Sequence, residues 1–141
     1  RNLWYRLLHN KISCKSITAT ILQLPDDKCG FCGISQTPVH MLFTCMANRD
    51  IWVNATHLFF KYPSRFSLPQ LYLDVIGLNI DHYLLLDSNL RLNCFEVLSA
   101  VFSSIWNAHW RQHFDSRFYD GQVILDDAIK AIRKLSAFKY L

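Results

Sequence analysis

The sequence predicts an all-α fold, and two observations carry that class. Apolar residues recur at spacings of three and four through most of the chain, the signature of amphipathic helices. No clear set of period-two segments bounded by hairpin signals interrupts them. Only 4 Gly and 4 Pro occur in 141 residues, which favours long structured elements over a loop-rich scaffold. Hydrophobic residues at 51% and aromatics at 14% exclude a disordered tail. The length fits one domain over residues 1–141, read as one half over 1–62 and a helical half over 70–141.

The elements follow in chain order. Leu3, Trp4, Leu7, Leu8 and Ile12 line one face of a first helix, with basic residues on the others. Ser13 fits the N-cap of a second helix over 15–22, which Pro25 and Asp26-Asp27 terminate. Thr37-Pro38 reads as an N-cap followed by proline at the first helical position, opening a short helix over 39–43. A helix over 48–60 then carries Ile51, Trp52, Ala55, Leu58 and Phe59. "KYPSRFSLP" is the clearest loop, bracketed by Pro63 and Pro69. Residues 71–86 are densely apolar, but Gly77 and Asn79 argue for a break within them. The longest periodic run, 90–114, predicts a buried helix with Phe95, Leu98, Val101, Phe102, Ile105, Trp106 and Trp110 on its apolar face. "DSRFYDG" ends it, and a last helix over 122–135 presents Val123, Leu125, Ile129 and Ile132.

Charge and hydropathy bound the functional classes. Net charge is +4, a mild excess compatible with nucleic acid without requiring it. Residues 1–28 hold five basic against two acidic side chains, a local balance of +3. The longest apolar runs, such as "HYLLL", fall far short of the roughly 20 residues that span a bilayer, so no membrane association is expected. The opening "RNLWYRLLHNKISCK" mixes charge with apolar residues and does not read as a signal peptide. Five cysteines without disulfide-framework spacing then point to a reducing, intracellular setting, nuclear or cytoplasmic. A start at Arg1 suggests a segment of a longer polypeptide.

The most informative stretch is "CGFCGISQTPVHMLFTC", with three cysteines and one histidine in 17 residues. As spacing it is Cys29-x2-Cys32-x7-His40-x4-Cys45. A Cys-x2-Cys pair lets two thiolates reach one metal from a tight turn, which Gly30 and Gly33 suit. His40 and Cys45 lie five apart, so Cys45 is expected where a short helix ends and the chain bends back. Three thiolates and an imidazole form one of the common structural sets for a single Zn2+, with no position left for a catalytic water. The fold class predicted is therefore all-α with a Cys3His zinc knuckle near the N-terminus, and the metal is expected to be structural.

"LWYRLLHNKIS", "CGFC" and "TPVHMLFTCMANRDIW" together resemble the zinc-binding region that follows the polymerase in non-LTR (LINE-type) retrotransposon reverse transcriptases. The resemblance is specific over residues 3–53, where it places the ligands at Cys29, Cys32, His40 and Cys45 and matches a tryptophan past the last cysteine at Trp52. "SSIWNAHWRQHFDSRFYDG" is similar to the Trp-rich helix that often ends such proteins. The retroviral nucleocapsid knuckle has only four residues before its histidine, and the x7 gap here speaks against it. The resemblance implies RNA or target-DNA binding beside a reverse transcriptase, and no catalysis by this segment. Lys11, Lys15, Lys28 and Arg49 flank the knuckle and are the candidates for phosphate contacts.

Weaker signals have plainer readings. The polymerase's paired-aspartate motif is absent, and Asp26-Asp27 and Asp126-Asp127 are expected in turn and capping roles. "PDDK" lacks the strands that a restriction-type nuclease centre requires. His109 and His113 share a helix face without further ligands, and Cys14 and Cys94 read as small buried or half-buried thiols. Trp4, Tyr5, Trp52 or Tyr62 offer stacking surfaces, but core positions are expected for Trp4, Trp52, Trp106 and Trp110. The competing function is a protein-interaction or scaffolding module whose C-terminal helices meet a partner while zinc only pins the fold.

Overall fold

The computed structural model describes residues 6–9, 14, 16, 19, 21–23 and 25–138. Leu3, Trp4, Tyr5, Lys11, Ile12, Ser13 and Lys15 lie outside the described residues, as does half of the helix expected over 15–22. From the first predicted helix, Leu7 is buried and Leu8 packs against the core, as its apolar face requires.

Among the described residues the architecture is helical, with no strand. The elements are a π-turn at His40–Thr44, α1 at Met46–Phe59, α2 at Leu68–Ile76, α3 at Cys94–Asp115 and α4 at Gly121–Phe138. Single 3-10 turns sit at Pro63–Arg65 and Ser88–Leu90. Extended pairing is limited, among these residues, to isolated bridges of Lys28 with Ser35 and Phe60 with Leu85.

Local chemistry sets the boundaries. Helix α2 starts earlier than the loop reading of "KYPSRFSLP" allowed, because Pro69 sits in its first turn, where a missing N–H costs nothing. It stops at Gly77, and residues 77–87 leave the helix, so the break expected near Gly77 and Asn79 is real. Helix α3 begins at Cys94 rather than residue 90 because Asn93 and Glu96 form a capping box. Asn93 Oδ1 accepts from Glu96 N at 2.9 Å, and Glu96 Oε1 accepts from Asn93 N at 3.2 Å.

Helices α3 and α4 pack on each other through the short connection 116–120, and α4 also lies against α1. Along α4 the buried face is Ile124, Leu125, Ala128, Ile132 and Ser136, a stripe of period four. Val123 is one residue, or about 100°, off that stripe and is exposed, contrary to expectation. Phe95 in the first turn of α3 and Leu58 near the end of α1 are likewise more exposed than their periodicity suggested. At the other end, Ser136 Oγ donates to Leu90 O at 2.8 Å and ties α4 back to the entry of α3.

The core centres on Phe43. Its ring stacks on Trp52 at 5.2 Å, meets Tyr72 edge-on at 5.7 Å, and touches Phe102 at 6.4 Å. One residue of the π-turn thus contacts α1, α2 and α3 together. Burying such aromatics contributes roughly 1.5–3 kcal/mol each. Trp52 is a core residue as predicted, whereas Trp106 and Trp110 are only half-buried.

Candidate metal centre

The cluster is assembled from a hairpin and a turn. In the hairpin, Cys29 N donates to Ile34 O at 2.7 Å and Gln36 N to Asp27 O at 2.8 Å, framing the Lys28–Ser35 bridge. Gly33 closes the turn at φ 74, a left-handed conformation that glycine adopts without a Cβ penalty. Its N–H donates to Cys29 O at 2.9 Å. The two aspartates before the hairpin do the turn work expected of them. Asp26 Oδ1 accepts from Lys28 N at 2.9 Å, and Asp27 Oδ2 accepts from Ser35 Oγ at 2.6 Å.

His40 and Cys45 come from the π-turn. Five residues along a regular α-helix rotate about 500°, which leaves the two side chains about 140° apart. Here Cys45 N donates to His40 O at 2.9 Å, an i→i+5 bond whose wider winding brings both onto one side. Thr37 caps the turn as predicted, its Oγ1 accepting from His40 N at 3.3 Å. Cys45 itself is non-helical at ψ 135 and separates the turn from α1, which matches the expected bend.

That geometry leaves Met41 O and Leu42 O without their ordinary helical donors. Side chains of α1 supply them. Asn48 Nδ2 donates to Met41 O at 2.7 Å, and Trp52 Nε1 donates to Leu42 O at 2.8 Å. Asn48 is held in turn by Tyr119, whose hydroxyl donates to Asn48 Oδ1. The Tyr119 ring packs on Phe31 of the hairpin at 4.7 Å.

The four sequence-predicted ligands converge. One ligand atom from each of Cys29, Cys32, His40 and Cys45 lies within 4.8 Å of all the others, close enough to hold one metal ion. Cys29 Sγ is 3.8 Å from Cys45 Sγ, and Cys32 Sγ is 3.1 Å from His40 Nε2. Cys29, His40 and Cys45 are buried and Cys32 half-buried. Phe31 N points at Cys29 Sγ from 3.5 Å, the kind of amide donor that stabilises a thiolate. None of the five cysteines is in a disulfide.

The electrostatics fit cation binding. Burial lowers the pKa of His40, which favours the neutral imidazole, the form that ligates. Burial first, then the neighbouring Cys29 and Cys32, push the Cys45 thiol up to about 12 against a favourable contact from the Ala47 backbone. A bound cation would offset that burial and favour the Cys45 thiolate. Tyr119 is pushed above its ordinary value by burial and by Cys45 and Cys29, so it stays a neutral donor.

The remaining sequence-predicted residues fall as follows. Lys28 and Arg49 are exposed at the two borders of the cluster. Among the stacking candidates, Trp52 is buried, while Tyr62 is exposed with the Arg65 guanidinium 4.4 Å above its ring. His109 is half-buried edge-on to Trp110, and the side chain of His113 lies outside the described residues. Cys14 is buried and Cys94 half-buried, as read. Asp126 and Asp127 sit in the second turn of α4 rather than at its start, Asp126 accepting from Gln122 and Asp127 pairing with Arg111 at 3.6 Å. Sequence reasoning missed Asn48, Tyr119 and Phe31. Tyr119 carries no local signal at all, since its partner is 71 positions away.

Comparison of the chain with protein-family models, with curated proteins and with solved structures finds no match. Among the described residues no helix is long and apolar enough to cross a membrane.

Proposed function

We propose that this chain is a zinc-stabilised nucleic-acid-binding domain of a LINE-type reverse transcriptase, a non-catalytic segment that positions template RNA or target DNA for the rest of that polypeptide. The observation that carries the reading is the closed Cys3His cluster with exposed Lys28 and Arg49 at its borders. The resemblance of residues 3–53 to that family supports it, and it implies action inside the cell, in nucleus or cytoplasm.

Zinc is the ion the donor set suits. Tetrahedral Zn–S bonds of about 2.3 Å place two sulfurs about 3.8 Å apart, the separation found between Cys29 and Cys45. With all four positions taken by protein the ion is structural. Three thiolates and one imidazole leave the site at −1, and the flanking cations offset it and present charge to phosphates.

Fluorescence anisotropy against single- and double-stranded RNA and DNA at two salt concentrations tests the function. Affinity should fall steeply with salt, and neutralising Lys11, Lys15, Lys28 and Arg49 together should weaken binding. The salt slope should flatten by up to about 0.7–0.9 for each phosphate that the protein no longer neutralises. Absence of binding at low salt with zinc present would sink this reading. A second reading, a scaffolding module that meets a protein partner through its C-terminal helices, draws on the exposed Val123, Leu135 and Phe138 of α4.

A further inference from the structure

The connection between α3 and α4 carries an aromatic that folding does not account for. Phe118 is 89% exposed, the most solvent-accessible large apolar side chain among the described residues. It does not sit on a loose loop. On one side Ser116 adopts φ 53 and its N–H caps Arg111 O, and Arg117 N reaches the same carbonyl at 3.4 Å. On the other, Tyr119 is fixed by Phe31 and Asn48, and Asp120 caps α4, its Oδ1 accepting from Gln122 N at 2.9 Å. Only Arg117 and Phe118 separate these anchors, and both side chains face solvent. A ring held out by a backbone pinned at both ends is preorganised for a flat ligand, since little ordering remains to be done on contact.

Its neighbours give the ligand's chemistry. Phe118 adjoins Tyr119 in the chain, Tyr119 bonds Asn48, and Asn48 adjoins Arg49, the exposed cation at the border of the cluster. Phe31, 38% exposed, packs its ring against that of Tyr119. Arg117 makes no ion pair among the described residues, whereas Arg111 is engaged with Asp127. An exposed aromatic beside an unengaged guanidinium, with a second cation one residue beyond its anchor, suits a base on the ring and phosphates on the cations. Asp115 and Asp120 flank the shelf, so stacking rather than net charge must supply most of the affinity there.

We propose that Phe118, with Arg117, forms a stacking shelf for an unpaired base of a single-stranded nucleic acid whose backbone runs toward Arg49. The shelf rests on the nucleic-acid reading above and deepens it by assigning a preference for single strands and the residues that read them.

The test uses the full, zinc-loaded chain with fluorescein-labelled oligouridine, oligothymidine and a duplex of matching length. Phe118→Ala should weaken single-strand binding about tenfold and leave duplex binding unchanged. Phe118→Trp should retain single-strand affinity, with indole emission quenched as the oligonucleotide binds. Arg117→Gln should reduce the single-strand salt slope by about 0.7. All three variants should melt like the parent, since the substituted side chains are exposed. Single-strand binding by Phe118→Ala equal to that of the parent overturns the shelf while the nucleic-acid reading stands. Failure of the unsubstituted protein to bind any of the probes at low salt overturns both.

Discussion

At the scale of single residues, the centre depends on side chains that ligate nothing. Trp52 illustrates this. Its position past the last cysteine was legible in the sequence, and so was its burial. Its second role was not, because that role exists only once the π-turn has stripped Leu42 O of its helical donor. Trp52→Phe keeps most of the buried ring and removes only the indole N–H. The expected loss is about 1–3 kcal/mol, the cost of a buried carbonyl left without a partner. Urea denaturation checks this, and a midpoint unchanged from the parent would show that the bond is dispensable. The convergence of Cys29, Cys32, His40 and Cys45 was readable, because four donors in one short window constrain each other locally. Asn48 and Tyr119 were not, because tertiary contacts across 71 positions leave no trace in local pattern.

At the scale of elements, periodicity found the helices and capping chemistry set their ends. The reading of 90–114 as one helix missed that Asn93 is better used as a cap than as a helix interior residue. The reading of Pro69 as a loop residue missed that proline is tolerated in a first turn. Beyond α2, residues 77–87 form no helix of their own and are held by the Phe60–Leu85 bridge and by one buried carboxylate. Asp74 accepts from Gln70 Nε2 at 2.9 Å and from the Tyr83 hydroxyl, and His82 Nε2 approaches it to 3.5 Å. Burial alone would raise the Asp74 carboxyl, but hydrogen bonds from Tyr83 and Gln70, with His82 nearby, more than offset this and hold it below its usual range. Tyr83 is pushed up by burial and by Asp74, so it remains a donor.

The sign of the resulting pH dependence follows. A carboxyl with a depressed folded-state pKa contributes its stability above the unfolded value, about 4, and loses it as pH falls through the depressed value. Stability should therefore decline in acid, and Asp74→Asn should flatten that decline while lowering stability at neutral pH. Denaturation midpoints measured from neutral pH down to about pH 2.5 decide it. Parallel curves for the two proteins would remove Asp74 from the account.

At the scale of the whole molecule, the Cys3His cluster and the hydrophobic core are not separate structures. Met41, Leu42 and Phe43 lie between His40 and Cys45 of the cluster and are all buried, and Phe43 is the hub on which α1, α2 and α3 meet. Loss of the ion should for that reason unfold more than the knuckle. Structural zinc sites contribute on the order of 10 kcal/mol, comparable with the entire stability of a domain this size. Metal analysis should give about one zinc per chain, and Cys32→Ser or a strong chelator should abolish both the metal and the cooperative melting transition. A metal-free chain that melts like the parent would contradict this. The all-α class and the position of the cluster were legible in the sequence, because both rest on short-range spacing. How the cluster feeds the core was not, because the π-turn that joins them obeys neither the helical period nor the strand period.

That turn also sets how the chain tolerates changes in length. Between His40 and Cys45 the backbone already winds one residue wider than an α-helix, so its surplus is in use. Adding or deleting a residue there would shift Phe43 against Cys45, and either the ring would leave the core or the thiol would leave the cluster. The Cys-x2-Cys turn at 29–32 answers to the cluster, and residues 77–87 answer to Asp74 and the Phe60–Leu85 bridge, but residues 40–45 answer to cluster and core at once. The six residues from 40 to 45 thus form a fixed ruler between cluster and core.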